Sequence, residues 1–180
     1  MAKTKIAALE RSDWKSITWF VGLMAVAIVL PRLIHNQFIT GPIVNATLFL
    51  GAYYLGNGAA VMVGLVPSVV ALSSGLLPLP LAPMVPFIMI SNALLIVVFN
   101  WVRKIFPDSK GFGSSAILAS LTKYLFLYLT SLFVIKAILP STLATKAMAV
   151  MMAWPQLVTA LVGAVIAFGI IRILKKDVDA

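Results

Sequence analysis

The 180-residue chain has no cysteine, a single histidine (His35) and only five acidic residues, Glu10, Asp13, Asp108, Asp177 and Asp179. Without cysteine there is no disulfide framework, no thiolate metal site and no cysteine nucleophile. His35 has no companion at metal-ligand spacing, so no metal is expected. All five acids fall outside the long apolar runs. That leaves too few proton-transfer groups for a membrane-embedded hydrolase, metalloprotease or carboxylate proton pump, and the chain is not expected to be an enzyme. No Gly-x-x-x-x-Gly-Lys-Ser/Thr motif occurs, so P-loop nucleotide binding is excluded and no cofactor is expected. Charge of either sign is scarce: 11% of residues are charged, against about 25% in a soluble domain.

Apolar residues fill the space. They make up 62% of the chain, with a mean hydropathy of +1.07, and they are gathered into long runs that need lipid as their solvent. Six spans are expected, at about Ile17–Ile34, Thr40–Leu55, Gly58–Ser74, Ala82–Val102, Ser115–Leu139 and Ala147–Ile173. The runs do not alternate as barrel strands do, so the expected fold is an all-α integral membrane protein, one six-helix domain over residues 1–180. Connectors are marked by Gly56-Asn57-Gly58, by Gly75–Leu81 with its prolines, by Arg103–Gly113 and by Pro140-Ser141-Thr142. The stiff proline stretch 78–86 is either a lid or a plain turn.

The formal charge of +9 would suggest nucleic acid in a soluble protein, but position decides against that. With the N-terminus cytoplasmic, ten basic residues lie on the inner side: Lys3, Lys5, Arg11, Lys15, Arg103, Lys104, Lys110, Arg172, Lys175 and Lys176. Three, Arg32, Lys136 and Lys146, lie outside. The positive-inside rule therefore gives N-in and C-in, in a prokaryotic inner or plasma membrane, with no nucleic-acid partner. Residues 1–16 are then a cytoplasmic segment, either lying on the inner surface as an amphipathic helix or fraying. The basic head and Ala25-Val26-Ala27 resemble a signal peptide, but the apolar run continues through Leu30 and the span is expected to be retained.

Polar groups inside spans are expensive in lipid and therefore informative. Asn45, Ser91, Asn92, Lys123, Tyr124, Gln156 and Thr159 are of this kind. At about 1.5 Å of rise per residue, Asn45 lies roughly 8 Å below the outer face, Asn92 and Gln156 roughly 14 Å, and Thr159 and Lys123 deeper still. Asn45, Asn92, Lys123, Gln156 and Thr159 are thus candidates to line one outward-opening cavity and bind a substrate. The alternative for the amides is that they simply tie helices together. Tyr124 and Tyr128 are read as packing residues. Lys123 either snorkels to the inner face or meets an anionic group of a ligand, because no span contains an Asp or Glu.

Three stretches carry a likeness to a known family: GPIVNATLFLGAYYLGNGAAVMVGLVPSVVAL from Gly41, PMVPFIMISNALLIVVFN from Pro83 and WPQLVTALVGAVIA from Trp154. With six spans in fewer than 200 residues, the chain resembles a substrate-binding S component of the energy-coupling factor (ECF) vitamin and micronutrient importers. The resemblance implies a non-catalytic subunit that captures a small molecule in an outward-facing cavity. Its implied partners are a membrane T component and two cytoplasmic ATPases, and the subunit is expected to topple in the membrane to release its ligand. The Ala-x-x-x-Ala pattern with which such proteins dock on the T component is absent from the first span, where Gly22 and Ala25 are the nearest substitute. Ala160-x-x-x-Ala164 and Gly163-x-x-x-Ala167 are expected to pack inside the bundle. The competing expectation is a structural membrane subunit that scaffolds an assembly and binds no ligand.

Overall fold

The computed structural model describes residues 2–107, 109–138 and 149–176. Five long helices carry the chain: α1 (Ala2–Leu33), α2 (Gln37–Ser73), α3 (Val85–Ile105), α4 (Ser109–Ile138) and α5 (Trp154–Lys176). No strand occurs among the described residues. Five segments are long and apolar enough to cross a membrane, Asp13–Leu33, Gln37–Ser73, Leu81–Ile105, Gly111–Ile135 and Ala149–Lys175. In each, only 17% to 39% of the most apolar stretch is buried within the protein, so most of these apolar surfaces are left to lipid. This is the make-up of a multi-pass membrane protein. The expected connector Pro140-Ser141-Thr142 and the side chains of Lys3, Lys5, Arg11, Lys110, Lys136, Lys146 and Lys176 lie outside the described residues.

The backbone of α1 is helical without interruption from Ala2, so the N-terminal stretch continues the first span instead of forming a separate element. α2 is too long to cross once: as a straight rod it would measure about 55 Å, against a hydrocarbon core of about 30 Å. It is broken at Gly56, whose φ of 75° and ψ of −172° are open only to glycine. The two limbs then lie side by side. A Cβ on Gly51 would sit 3.3 Å from that of Ala60, and one on Gly64 would sit 3.2 Å from Leu48 Cδ2. In a straight helix residues nine apart would be separated by about 13 Å. The expected Gly56-Asn57-Gly58 connector thus narrows to one residue, with Asn57 and Gly58 already helical.

Pro78 precedes a 3-10 helix, Leu79–Met84, and Pro86 stands in the first turn of α3, where a missing N–H costs nothing. Leu81 and Met84 of this stretch are almost fully buried. The sixth expected span began at Ala147, whereas the backbone turns at Met152 and Ala153 and α5 begins at Trp154, with Pro155 in its first turn.

α2 is the central element, packed on α1, α3 and α5, while α3 also packs on α4. The apolar interior forms two clusters. Around the Gly56 end, Phe49 and Phe99 meet edge to face at 5.1 Å, Phe99 meets Phe112 at 5.2 Å, and Phe112 meets Phe168 at 5.1 Å. Beyond these rings, Trp19 stacks on Tyr54 at 4.2 Å, the Arg103 guanidinium lies 4.2 Å over the Tyr53 ring, and Lys175 Nζ lies 5.7 Å from the same ring. The start of the Asp13–Leu33 span and the end of α5 therefore share one end of the molecule. At the opposite end Leu77, Leu81, Met84, Val85, Leu127, Val134 and Met152 form the second cluster.

Candidate functional site

A polar layer separates the two apolar clusters. Lys123, near the middle of α4, is 3% exposed, and its Nζ donates to Asn45 Oδ1 at 2.7 Å and to Asn92 Oδ1 at 2.8 Å. It does not snorkel to a membrane face. Each amide is oriented by what its nitrogen donates to: Asn92 Nδ2 reaches the Gly64 carbonyl at 2.8 Å, and Asn45 Nδ2 reaches the Gly41 carbonyl at 2.9 Å and Thr159 Oγ1 at 3.4 Å. These donations turn both carbonyl oxygens toward the ammonium. Thr159 in turn donates to the Gln156 carbonyl at 3.3 Å. One lysine thereby joins both limbs of α2 with α3, α4 and α5.

Close backbone approach makes this convergence possible. A Cβ on Gly163 would lie 2.7 Å from Asn45 Cβ and 2.7 Å from the Pro42 carbonyl oxygen, and one on Gly41 would lie 2.9 Å from Thr159 Cγ2. A Cβ on Gly64 would lie 3.1 Å from Ile96 Cδ1 and 3.5 Å from Asn92 Cβ. Glycine at these three positions lets α2 come near enough to α3 and α5 for short side chains to meet.

The layer borders a cavity of about 100 Å³. Asn45, Asn92, Lys123, Gln156 and Thr159, the five candidates read from the sequence, all line it. Gln156 Nε2 donates to the Met151 carbonyl at 3.1 Å, which fixes the side chain beside the turn before α5. The remaining lining is largely apolar, including Val44, Ala71, Leu77, Ile88 and Met152, and no carboxylate is among the lining residues. At the far end from Gly56, His35 Nε2 lies 3.1 Å from the Ser74 carbonyl, and Ser74 Oγ lies 3.4 Å from that of Pro31. These contacts hold the α1–α2 turn against the end of α2 beside the cavity. Asn36 accepts from the Phe38 N–H at 2.9 Å and caps α2, which accounts for the polar loop there.

Ser68 is a lining residue that sequence reasoning missed. It is 3% exposed and its Oγ has no hydrogen-bond partner among the described residues. Ser91, which the sequence did single out, is turned away: its Oγ donates to the Ile88 carbonyl at 2.7 Å and it is not part of the cavity. Tyr124 and Tyr128 stack on each other at 6.0 Å, outside the cavity. Gly22 and Ala25 lie on the exposed face of α1, and nothing stands within 4 Å of a Cβ built on Gly22. Ala160, Gly163, Ala164 and Ala167 are buried in the bundle. Comparison of the chain with family models, with curated proteins and with solved structures finds no match, and the chemistry of this layer stands on its own geometry.

Proposed function

We propose that the chain is the membrane-embedded substrate-binding subunit of a multi-subunit, ATP-driven importer, of the ECF S-component type, and that it captures a small polar or anionic molecule from outside. One observation carries this reading: the buried amino group of Lys123, with no carboxylate beside it among the described residues, borders a cavity lined by Asn45, Asn92, Gln156 and Thr159. Helix-tying amides alone do not call for a charge at mid-membrane, where it is expensive. The cavity is also concave, mostly apolar and set with few polar groups, as small-molecule sites are.

The topology proposed with it is six spans, N-in and C-in. Each limb of α2 measures about 26 to 28 Å, close to the thickness of the hydrocarbon core. Arg103, Lys104, Arg172 and Lys175 gather at the Gly56 end, where the Asp13–Leu33 span also starts and α5 ends, which supports placing that end in the cytoplasm. The cavity then opens outward. Lacking a nucleotide site, the subunit relies on a T component and two cytoplasmic ATPases, with Gly22 and Ala25 on α1 as the docking face. It is not itself a catalyst.

Native mass spectrometry of the protein purified from cells tests the reading. A stoichiometric small molecule that is lost from Lys123→Met supports it. Repeated absence of any bound molecule after growth in rich medium supports the scaffold alternative instead.

A further inference from the structure

Ser68 and Lys123 line the same cavity, and each has a donor with no partner among the described residues. Two of the three N–H groups of Lys123 are taken by Asn45 and Asn92, and no further partner for the third is found among the described residues. Ser68 is 3% exposed, and its buried Oγ has no partner among the described residues. Ser68 also stands at the right depth, one helical turn from Gly64, whose carbonyl takes Asn92. Ser120 Oγ is buried and without a partner too, but it does not line the cavity. Beside Lys123 the asparagine oxygens are both turned to its Nζ, and Thr40 Oγ1 spends its proton on the Asn36 carbonyl at 3.0 Å.

A deep end that offers donors and a positive charge selects an acceptor-only, negatively charged group. An amino group on the ligand would meet Lys123 with no carboxylate in the lining to balance it. Val44, Ala71, Leu77, Ile88 and Met152 supply apolar surface for the rest of the molecule. A volume of about 100 Å³ is well below that of sites for drug-sized ligands and selects a compact one. We infer that the ligand is a compact carboxylate with an apolar body and no amino group, its carboxylate bound jointly by Lys123 Nζ and Ser68 Oγ. This deepens the proposed function and rests on its ligand-binding reading.

The test is calorimetric titration of the full chain in detergent and chloride-free buffer with butyrate, butyramide, 2-aminobutyrate, chloride and phosphate. Butyrate is expected to bind, and the other four to bind at least about tenfold more weakly or not at all. Ser68→Ala should weaken butyrate binding by about tenfold or more, since a hydrogen bond to a charged group is lost. The same variant should melt no lower than the parent in the absence of butyrate, because the Ser68 hydroxyl bonds to nothing among the described residues. Equal binding of butyramide or 2-aminobutyrate overturns the charge assignment, and equal binding of chloride or phosphate overturns the apolar body. Unchanged butyrate affinity in Ser68→Ala removes Ser68 from the site. Each of these outcomes leaves ligand binding itself standing, whereas binding of none of the five, together with the absence of a co-purified molecule, overturns both readings.

Discussion

Two amide oxygens hold the Lys123 ammonium, and neither carries a full negative charge. The cation is hydrogen-bonded but not neutralised, so an anion bound there would gain strongly. Lys123→Met is expected to weaken binding of the native ligand by roughly one to two orders of magnitude, measured by titration. It should also lower the melting temperature of the empty protein. The change strands two buried carbonyl oxygens, at about 1 to 3 kcal/mol each, offset in part by removal of a buried charge. If Lys123→Met binds normally while Asn92→Leu and Gln156→Leu do not, the ligand is neutral at that end. Lysine and amides in apolar runs were legible because lipid makes them conspicuous. Ser68 was not, for a physical reason: a serine in a helix can satisfy itself on a carbonyl one turn back, as Ser91 does on Ile88, and only the three-dimensional arrangement separates the two cases.

Among the helices, two glycines of similar appearance in sequence have opposite surroundings. Gly163 faces the α2 backbone, with the Ala46 nitrogen 2.8 Å from a built Cβ, while Gly22 faces open space. Gly163→Ala is therefore expected to destabilise the protein by about 1 to 3 kcal/mol through overpacking and to displace Asn45, read as a lower melting temperature with weaker ligand binding. Gly22→Leu should leave both unchanged and reduce co-purification with the T component. Unaltered complex formation moves the docking face off α1. The runs of apolar residues were enough to locate the helices. The helix-breaking turn at Met152–Ala153 and the reduction of a three-residue connector to Gly56 were not readable, because each depends on how one backbone segment packs against another. Small-residue spacing marked α5 as a packing helix, yet it did not say that Asn45 is the residue the packing brings into place.

For the molecule as a whole, the distribution of basic residues makes a claim about sidedness. Cysteines introduced one at a time at positions 103–106 should stay unlabelled by an impermeant maleimide in intact cells and become labelled after permeabilisation, as should tags on both termini. Labelling from outside would invert the orientation and place the cavity mouth in the cytoplasm. The purified chain in liposomes is expected to bind its ligand but not to concentrate it, because its sequence carries no P-loop motif. Accumulation by the chain alone would remove the need for partner subunits.

Beneath the polar layer, the rings of Phe49, Phe99, Phe112 and Phe168 form a continuous floor from α2 through α3 and α4 to α5. Phe49 and Phe99 are 0% exposed, so among the described residues apolar packing lies between the cavity and the Arg103 end. Ions and protons that follow water into the cavity would meet apolar packing instead of a file of hydrogen bonds, and the chain is expected to leave the membrane's electrical potential intact. Planar bilayers holding the purified chain should accordingly show no conductance above that of lipid alone, with or without ligand. Phe99→Ala, which opens the floor, is the change expected to introduce a leak.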